Sequence, residues 1–388
     1  MSTMTLVSLP LELFHRIFDY SDTRTILLVR QVCRTFYAAV NTYNRIHLTI
    51  DDKSKVYLKF LARCISLDSI VSITFQNIHD QRYYWYSAPK SKDALVHLFQ
   101  SCFDGHQFTR LRSLAVKQTY DTNMDFLLQH LNIHSLESFS IDLGETNVEN
   151  TIVCINALLA QNYLRRLTFN RAELILNQIL YPVHCKLNQL TINICTYQQY
   201  MIVLDNLPNL KIFTIGLLTV NQYETCCSLV HASSMSSLKS LIINDCPLPI
   251  EYIDLLLTRT SELIRLKLIS CKRARLDSIF DGHHWEEFIR HRLPQLNRFE
   301  YDFSFADKTN DCIGMLNSLI ASLQTPFWLN EKRWFTTCGY TFESAMFEIH
   351  TTSLNMSKRN DLIKFEKIAE KNIYRLVGEP RHGYGKKV

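Results

Sequence analysis

Cys226, Cys227 and His231 are the residues whose types and spacing come nearest to a chemical site in this chain. Cys227 and His231 stand at i and i+4, which on a helix puts a thiol and an imidazole on one face, with Cys226 adjacent. Such groups can hold part of a zinc site, but zinc takes about four ligands, and no second pair at matching spacing stands nearby. The reading is of buried thiols beside a surface histidine. His283 and His284 follow Asp281 and Gly282 and precede Trp285, which is the sequence of a turn leading into a helix rather than of a catalytic group. No phosphate-cradling G-x-x-x-x-G-K-[ST] occurs, nor a G-x-G-x-x-G after a strand, nor a G-x-S-x-G nucleophile turn. The 37 acidic residues are dispersed, so no carboxylate pair stands out for acid–base work. The expectation is a protein with no catalytic residues, cofactor or metal of its own.

The elements that would have to position such groups describe a repeating scaffold instead. A chain of 388 residues has room for two or three domains or one long array. Its hydrophobic share of 47% and charged share of 20% are those of an ordered chain. No run approaches the ~18 apolar residues of a membrane span, and MSTMTLVSLP lacks the basic and long apolar regions of a secretory signal. A cytoplasmic or nuclear setting is expected, and the twelve scattered cysteines, without a C-x-x-C, agree with it. The net charge of +5 is concentrated in Ser357–Val388, with nine Lys/Arg and four Asp/Glu, leaving 33 of each sign in the rest of the chain. The body therefore has no overall basic charge for nucleic acid.

From residue 46 to 352 the chain reads as a ladder. The unit is Leu-x-x-Leu-x-Leu with Ile or Phe substitutions. It appears first at Ile70-x-x-Ile73-x-Phe75. It then leads from Leu111, Leu136, Leu164, Leu187, Leu210, Leu238, Leu263 and Leu296, at intervals of 25, 28, 23, 23, 28, 25 and 33 residues. That is close to the ~20–29 residue period of leucine-rich repeats. Each rung ends in a period-2 segment, and segments of helical period fall between rungs, as at 148–160, 198–207, 223–232, 250–260 and 285–293. Such a unit cannot bury its own apolar face, so neighbours must stack. The expected fold class is α/β: a leucine-rich-repeat-like solenoid of parallel strands and outer helices, preceded by a small all-α region. A helix over 312–324, two closing strands at 334–338 and 346–351, and an amphipathic helix and basic tail over 353–388 complete the expectation.

Residues 1–45 have a different pattern. Leu9, Leu13 and Ile17 form one apolar stripe at helical spacing, with Phe14 and Phe18 beside it. Ser8 can cap this helix, with Pro10 in its first turn. Asp22 can cap a second helix carrying Ile26, Leu27 and Val29. Val32, Cys33, Phe36, Tyr37 and Val40 continue as a third helix or as an extension of the second. Units below ~40 residues are rarely stable alone, so the surplus apolar surface must lie on a partner or on the rest of the chain.

These residues resemble an F-box, the helical motif that docks on the Skp-type adaptor of cullin–RING ubiquitin ligases. The resemblance rests on Leu9-Pro10-x-Glu12, on Ile17 and Phe18 at the end of the first helix, on the Ile26–Leu27 pair, and on Val32-Cys33-Arg34 followed by Phe36. Ser21 replaces the usual Leu, and Phe36 stands where Trp is more common. The resemblance covers about a tenth of the chain. It implies an adaptor-binding set of Leu9, Pro10, Glu12, Leu13, Ile17, Phe18, Ile26, Leu27, Val32, Cys33 and Phe36, and a cullin reached through the adaptor. The ladder would then bind a protein target through the residues between its apolar positions. One such column includes Lys117, Asp142, Asn170, Asn193 and Asn244, with Lys267 in the neighbouring column. A membrane partner is not expected, and the basic segment from Lys358 to Arg375 reads as the solvated face of a helix.

Overall fold

The computed structural model describes residues 6, 9–51, 58–76, 99, 102, 108–119, 131, 133–143, 148–170, 175–220, 236–273, 278–306, 312–341 and 346–352. The Tyr-rich insertion around Tyr83–Tyr86, the 223–232 segment with Cys226, Cys227 and His231, and the segment 353–388 lie outside these residues. Contacts group the chain into two units, Met1–Thr191 and Ile192–Val388.

The first unit opens with three short helices, α1 (Leu11–Phe18), α2 (Thr23–Arg30) and α3 (Arg34–Thr42). The third stretch is thus a separate helix, with Gln31–Cys33 breaking the chain direction. Pro10, expected in the first turn behind a Ser8 cap, is itself the N-cap residue of α1, which begins at Leu11 with no side-chain cap; Ser8 lies outside the described residues. Asp22 caps α2 as expected, its Oδ1 accepting from the Thr25 N–H at 2.7 Å. The strands β1 (Ile46–Ile50), β2 (Ile70–Gln76), β3 (Ser113–Thr119), β4 (Ser138–Leu143) and β5 (Arg166–Phe169) follow, with α4 (Leu58–Cys64) and α5 (Val148–Leu159) between them. The five strands pair in chain order, all parallel. Ile73, Leu114, Phe139 and Leu167 are in register, as are Phe75, Val116, Ile141 and Phe169, and all eight are buried. The rung spacing therefore becomes two continuous apolar rows, because side chains of period 2 from neighbouring strands fall on one face.

β6 (Gln189–Thr196) runs across the boundary of the two units. In the second unit come α6 (Tyr197–Asn206), β7 (Ile212–Thr219), β8 (Ser240–Asp245), α7 (Ile250–Thr258), β9 (Arg265–Arg273), α8 (Gly282–Arg292), β10 (Arg298–Ala306), α9 (Cys312–Ser322), β11 (Phe335–Thr341) and β12 (Met346–Thr352). β7 to β10 are parallel, with Phe213, Leu241, Leu266 and Phe299 in one row and Ile215, Ile243, Leu268 and Tyr301 in the next. The last pair departs from an all-parallel sheet. β12 lies antiparallel between β10 and β11, because the short link from β11 to β12 permits only a hairpin, whereas parallel strands need a long crossover.

Four local features complete this unit. Trp285, Trp328 and Trp334 pack around Phe299 and Tyr301, and each indole N–H donates to a carbonyl, that of Ile279, Gly282 and Asn297 respectively. Wide helical turns over Phe327–Lys332, which the sequence pattern did not predict, end at Arg333 in the left-handed region (φ 55°). At Gly282 a Cβ would strike the backbone carbonyl of Ser322, so the close approach of α8 and α9 requires glycine there. The Arg273 guanidinium, 9% exposed, donates to the carbonyls of Cys246 (3.2 Å) and Leu248 (2.7 Å) and to the Ser270 hydroxyl (3.0 Å). It thereby ties the loop after β8 to the end of β9. Burial pushes the Cys246 thiol up to about 11, so it remains a protonated, apolar filler.

Candidate docking surface on the N-terminal helices

The interior of α1–α3 is aromatic. Phe14 meets Phe36 edge-on at 5.1 Å between ring centroids, Phe18 meets Tyr43 at 5.4 Å, and all four are buried. Ile26, Leu27, Ala39 and Val40 complete the interior. The Tyr43 hydroxyl donates to Asp19 Oδ1 at 2.9 Å, and Arg45 lies 3.3 Å from the other carboxylate oxygen. Burial first, and the Asp19 carboxylate second, push the Tyr43 phenol up to about 12. The helices are also fastened to the strand and helix next in the chain. The Thr23 hydroxyl donates to the His47 carbonyl of β1 at 2.6 Å, and Arg30 Nη1 donates to the Cys64 carbonyl of α4 at 2.7 Å.

This interior uses only part of the apolar surface of the helices. Leu13 is 40% exposed, Ile17 45% and Val32 70%; Leu11, Leu28 and Tyr20 are exposed as well. The residues assigned to adaptor docking by resemblance therefore fall into two groups. Pro10, Glu12, Leu13, Ile17 and Val32 lie outside, with Leu9 and Cys33 half-buried. Phe18, Ile26, Leu27 and Phe36 are buried and hold the helices in position. Leu11, Tyr20 and Leu28 are exposed apolar residues that the sequence pattern did not single out. They lie off the Leu9–Leu13–Ile17 stripe, and only the angles between the short helices reveal that they too are uncovered. Ser21, the departure from the family pattern, donates its hydroxyl to the Ile17 carbonyl at 3.0 Å, which also accepts from the Tyr20 N–H at 3.1 Å at the end of α1.

Beside these residues a groove of about 620 Å³ runs between α2, α3 and α4, lined by Leu27, Arg30, Gln31, Cys33, Arg34, Tyr37, Phe60 and Cys64. The Arg30 guanidinium carbon lies 4.7 Å from the centroid of the Tyr37 ring. Hydrogen bonds with Asn41 and then Arg30 lower the Tyr37 phenol from its ordinary value. The groove combines an apolar floor with fixed cationic and aromatic groups, a combination suited to a protein side chain.

The residues proposed for a target are distributed over both units. In the first, Lys117 is exposed near the end of β3, and the Asn170 amide donates to the Asp142 carboxylate. In the second, Asn193 lies against Gly216, Asn244 is exposed on β8, and Lys267 is half-buried between Ile242 and Glu300 in register. Elsewhere, His284 lies 3.2 Å from Asp254, and the His283 N–H donates to the Asp281 carboxylate at the start of α8. Among the described residues no three His, Cys, Asp or Glu side chains converge on a metal position, and no helix is long and apolar enough to cross a membrane.

Residues 6–49 match the F-box-like family. The match spans α1 to α3 and most of β1, so the three helices and the strand on which they rest form an F-box-like domain. Domains of this kind typically bind Skp-type adaptors. A mixed α/β region with a mostly parallel sheet follows it. No curated protein matches the chain.

Proposed function

We propose that this protein is a non-enzymatic substrate receptor of a cullin–RING ubiquitin ligase. The F-box-like domain docks on a Skp-type adaptor and through it joins a cullin. The rung-bearing region, which we read as a leucine-rich-repeat-like solenoid, holds a target protein. The chain contributes proximity, raising the local concentration of target lysines near the charged enzyme, and no covalent chemistry. It works in the cytoplasm or nucleus, where such ligases act. The observation that carries the reading is the exposed apolar set Leu13, Ile17 and Val32 inside a segment matching the F-box-like family. Exposed branched apolar side chains gathered in one short helical segment are the kind of surface a partner covers.

The test is capture of a Skp-type adaptor from cells by the full chain and by Ile17→Asp with Val32→Asp. Neither side chain belongs to the interior, so the variant folds, and recovery of the adaptor drops more than about tenfold, equivalent to ~1.4 kcal/mol. Undiminished recovery rules the reading out. A second reading draws on the Thr23–His47 and Arg30–Cys64 hydrogen bonds, which fasten the helices to the chain's own β1 and α4. In it the helices are the end cap of a protein-binding scaffold unrelated to ubiquitination. Absence of any adaptor from the wild-type capture favours that reading.

A further inference from the structure

Each rung begins Leu-x-x-Leu or its equivalent, and both apolar positions are spent on the core. The two residues between them lead each strand into the sheet, and their backbone groups are used in the same way from rung to rung. In the first unit the Glu137 and Ser138 N–H groups both donate to the Arg112 carbonyl. Those of Arg165 and Arg166 donate to Glu137, and those of Asn188 and Gln189 to Arg165, all at 2.8–3.0 Å. The side chains at this leading edge stand outside the core and are strongly cationic; the Arg112 guanidinium also donates to the Leu111 carbonyl at 3.2 Å. Arg112, Arg165 and Arg166 occupy the paired positions, with Arg110 and Lys186 flanking them, all exposed. Glu137 is half-exposed and 3.6 Å from Arg112, and Asp68 accepts a hydrogen bond from Thr109. Arg165, Arg166 and Lys186 have no ion pair among the described residues. Towards the far ends of the strands the charge is mixed, with Lys117 exposed on β3 and Asp142, held by Asn170, on β4.

The second unit, taken by itself, has the same composition with a different outcome. Lys211, Lys239, Arg265 and Arg298 hold the equivalent positions, but Glu262 pairs with Lys239, and Glu300 with both Arg265 and Arg298. Its cations are largely neutralised within the chain, whereas those of the first unit are not.

We infer that the leading edge of β3–β5, centred on Arg165 and Arg166, holds an acidic segment of the target protein. This rests on the reading that the rung-bearing region binds a target. Arg165 and Arg166, neighbours in the chain, act jointly at physiological salt, where the Debye length is about 8 Å. Adjacent strands are ~4.8 Å apart, so Arg112, two strands away at about 10 Å, is partly screened and adds most at low salt. Arginine forks grip carboxylates in bidentate fashion. Glu137, in the middle of the edge, argues against a nucleic acid strand, which presents a phosphate at every residue and would meet that carboxylate, whereas a peptide can place a serine or glycine there.

The experiment measures binding of a short labelled peptide of alternating Glu and Ser, and of a thymidine oligonucleotide of equal charge, to the full chain. Wild type is compared with Arg165→Glu plus Arg166→Glu and with the milder Arg165→Gln plus Arg166→Gln, at low and physiological salt. Adaptor capture by the same preparations is measured in parallel. The inference expects salt-dependent peptide binding that weakens about tenfold in the charge reversal and less in the neutral variant. Equal binding by wild type and charge reversal overturns it, as does tighter binding of the oligonucleotide than of the peptide. Failure of wild type to capture an adaptor overturns the ligase reading instead, and leaves peptide binding at this edge in force.

Discussion

The N-terminal helices and the rungs of the second unit are built from the same apolar residue types but present opposite surfaces. In β8, Leu241 and Ile243 are buried while Ile242, Asn244 and Asp245 point away from the core. A strand is covered by a neighbour on each side and by one packed layer, so alternation buries most of its large apolar side chains, with Ile242 left half-exposed. In α1–α3 the interior is filled by Phe14, Phe18, Phe36 and Tyr43, and Leu13, Ile17 and Val32 remain outside. Helices of about two turns enclose too little volume to cover more. Apolar surface in the rungs is therefore mostly spent on stability, whereas in the helices part of it stays exposed, as the proposed docking requires. The comparison can be broken at several points.

The largest effect should come from the rungs. Leu241→Ala removes a fully buried side chain between Phe213 and Leu266 in register and should cost ~2–5 kcal/mol through lost burial and the cavity left behind. Ile242→Ala, one residue along and half-exposed, should cost less than ~1 kcal/mol. Denaturant unfolding of both variants checks this, and equal losses would contradict the inward–outward alternation on which the comparison stands.

How far the sequence revealed these arrangements depended on periodicity. The rung positions were legible because Leu-x-x-Leu-x-Leu repeats, and nearly every one of those residues lies in a buried row. The first helix was legible in its stripe, since Leu13 and Ile17 are indeed exposed together. Its inner side was not: Phe18, Ile26, Leu27 and Phe36 belong to the same motif, and only the angles between helices decide which of its apolar residues face inward. The α4 turn and the wide turns at Phe327–Lys332 were missed because each is short and lacks a full helical repeat. The edge cations were visible as residues, but their common position appeared only once the backbone hydrogen bonds aligned them.

Two tyrosines give an intermediate and signed test. Tyr43, in the helices, has its hydroxyl on Asp19. Tyr200, stacked on Phe213 at 5.6 Å, is fully buried, and its hydroxyl has no hydrogen-bond partner among the described residues. Tyr43→Phe should cost about 1 kcal/mol, and Tyr200→Phe should be neutral or stabilising by up to ~1 kcal/mol, because it removes a desolvated group that gains nothing in return. The two also differ in pH response. The Tyr43 phenol is raised from 10.0 to about 12 in the fold, so the folded chain keeps a proton that the unfolded chain loses across that interval. Its contribution is intact below pH 10 and disappears as pH rises to 12. Unfolding curves at both ends of that window should show a smaller alkaline loss for Tyr43→Phe than for wild type.

The smallest expected effect is the most discriminating. Ile17→Ser with Val32→Ser removes two branched apolar side chains, a change that in the rungs would be severe. Here it should alter stability by less than ~0.5 kcal/mol. Ile and Ser have similar helix propensities, Val32 lies between helices, and both side chains already stand largely in water, 45% and 70% exposed. Adaptor recovery should nevertheless fall, because the same carbons that contribute little to folding would be buried by the partner. A loss of several kcal/mol would place these residues in a core, and the helices would then be another rung-like packing element rather than a surface kept for docking. An unchanged stability together with an unchanged adaptor interaction would instead locate the contact elsewhere on the domain, with the groove between α2, α3 and α4 as the next place to mutate.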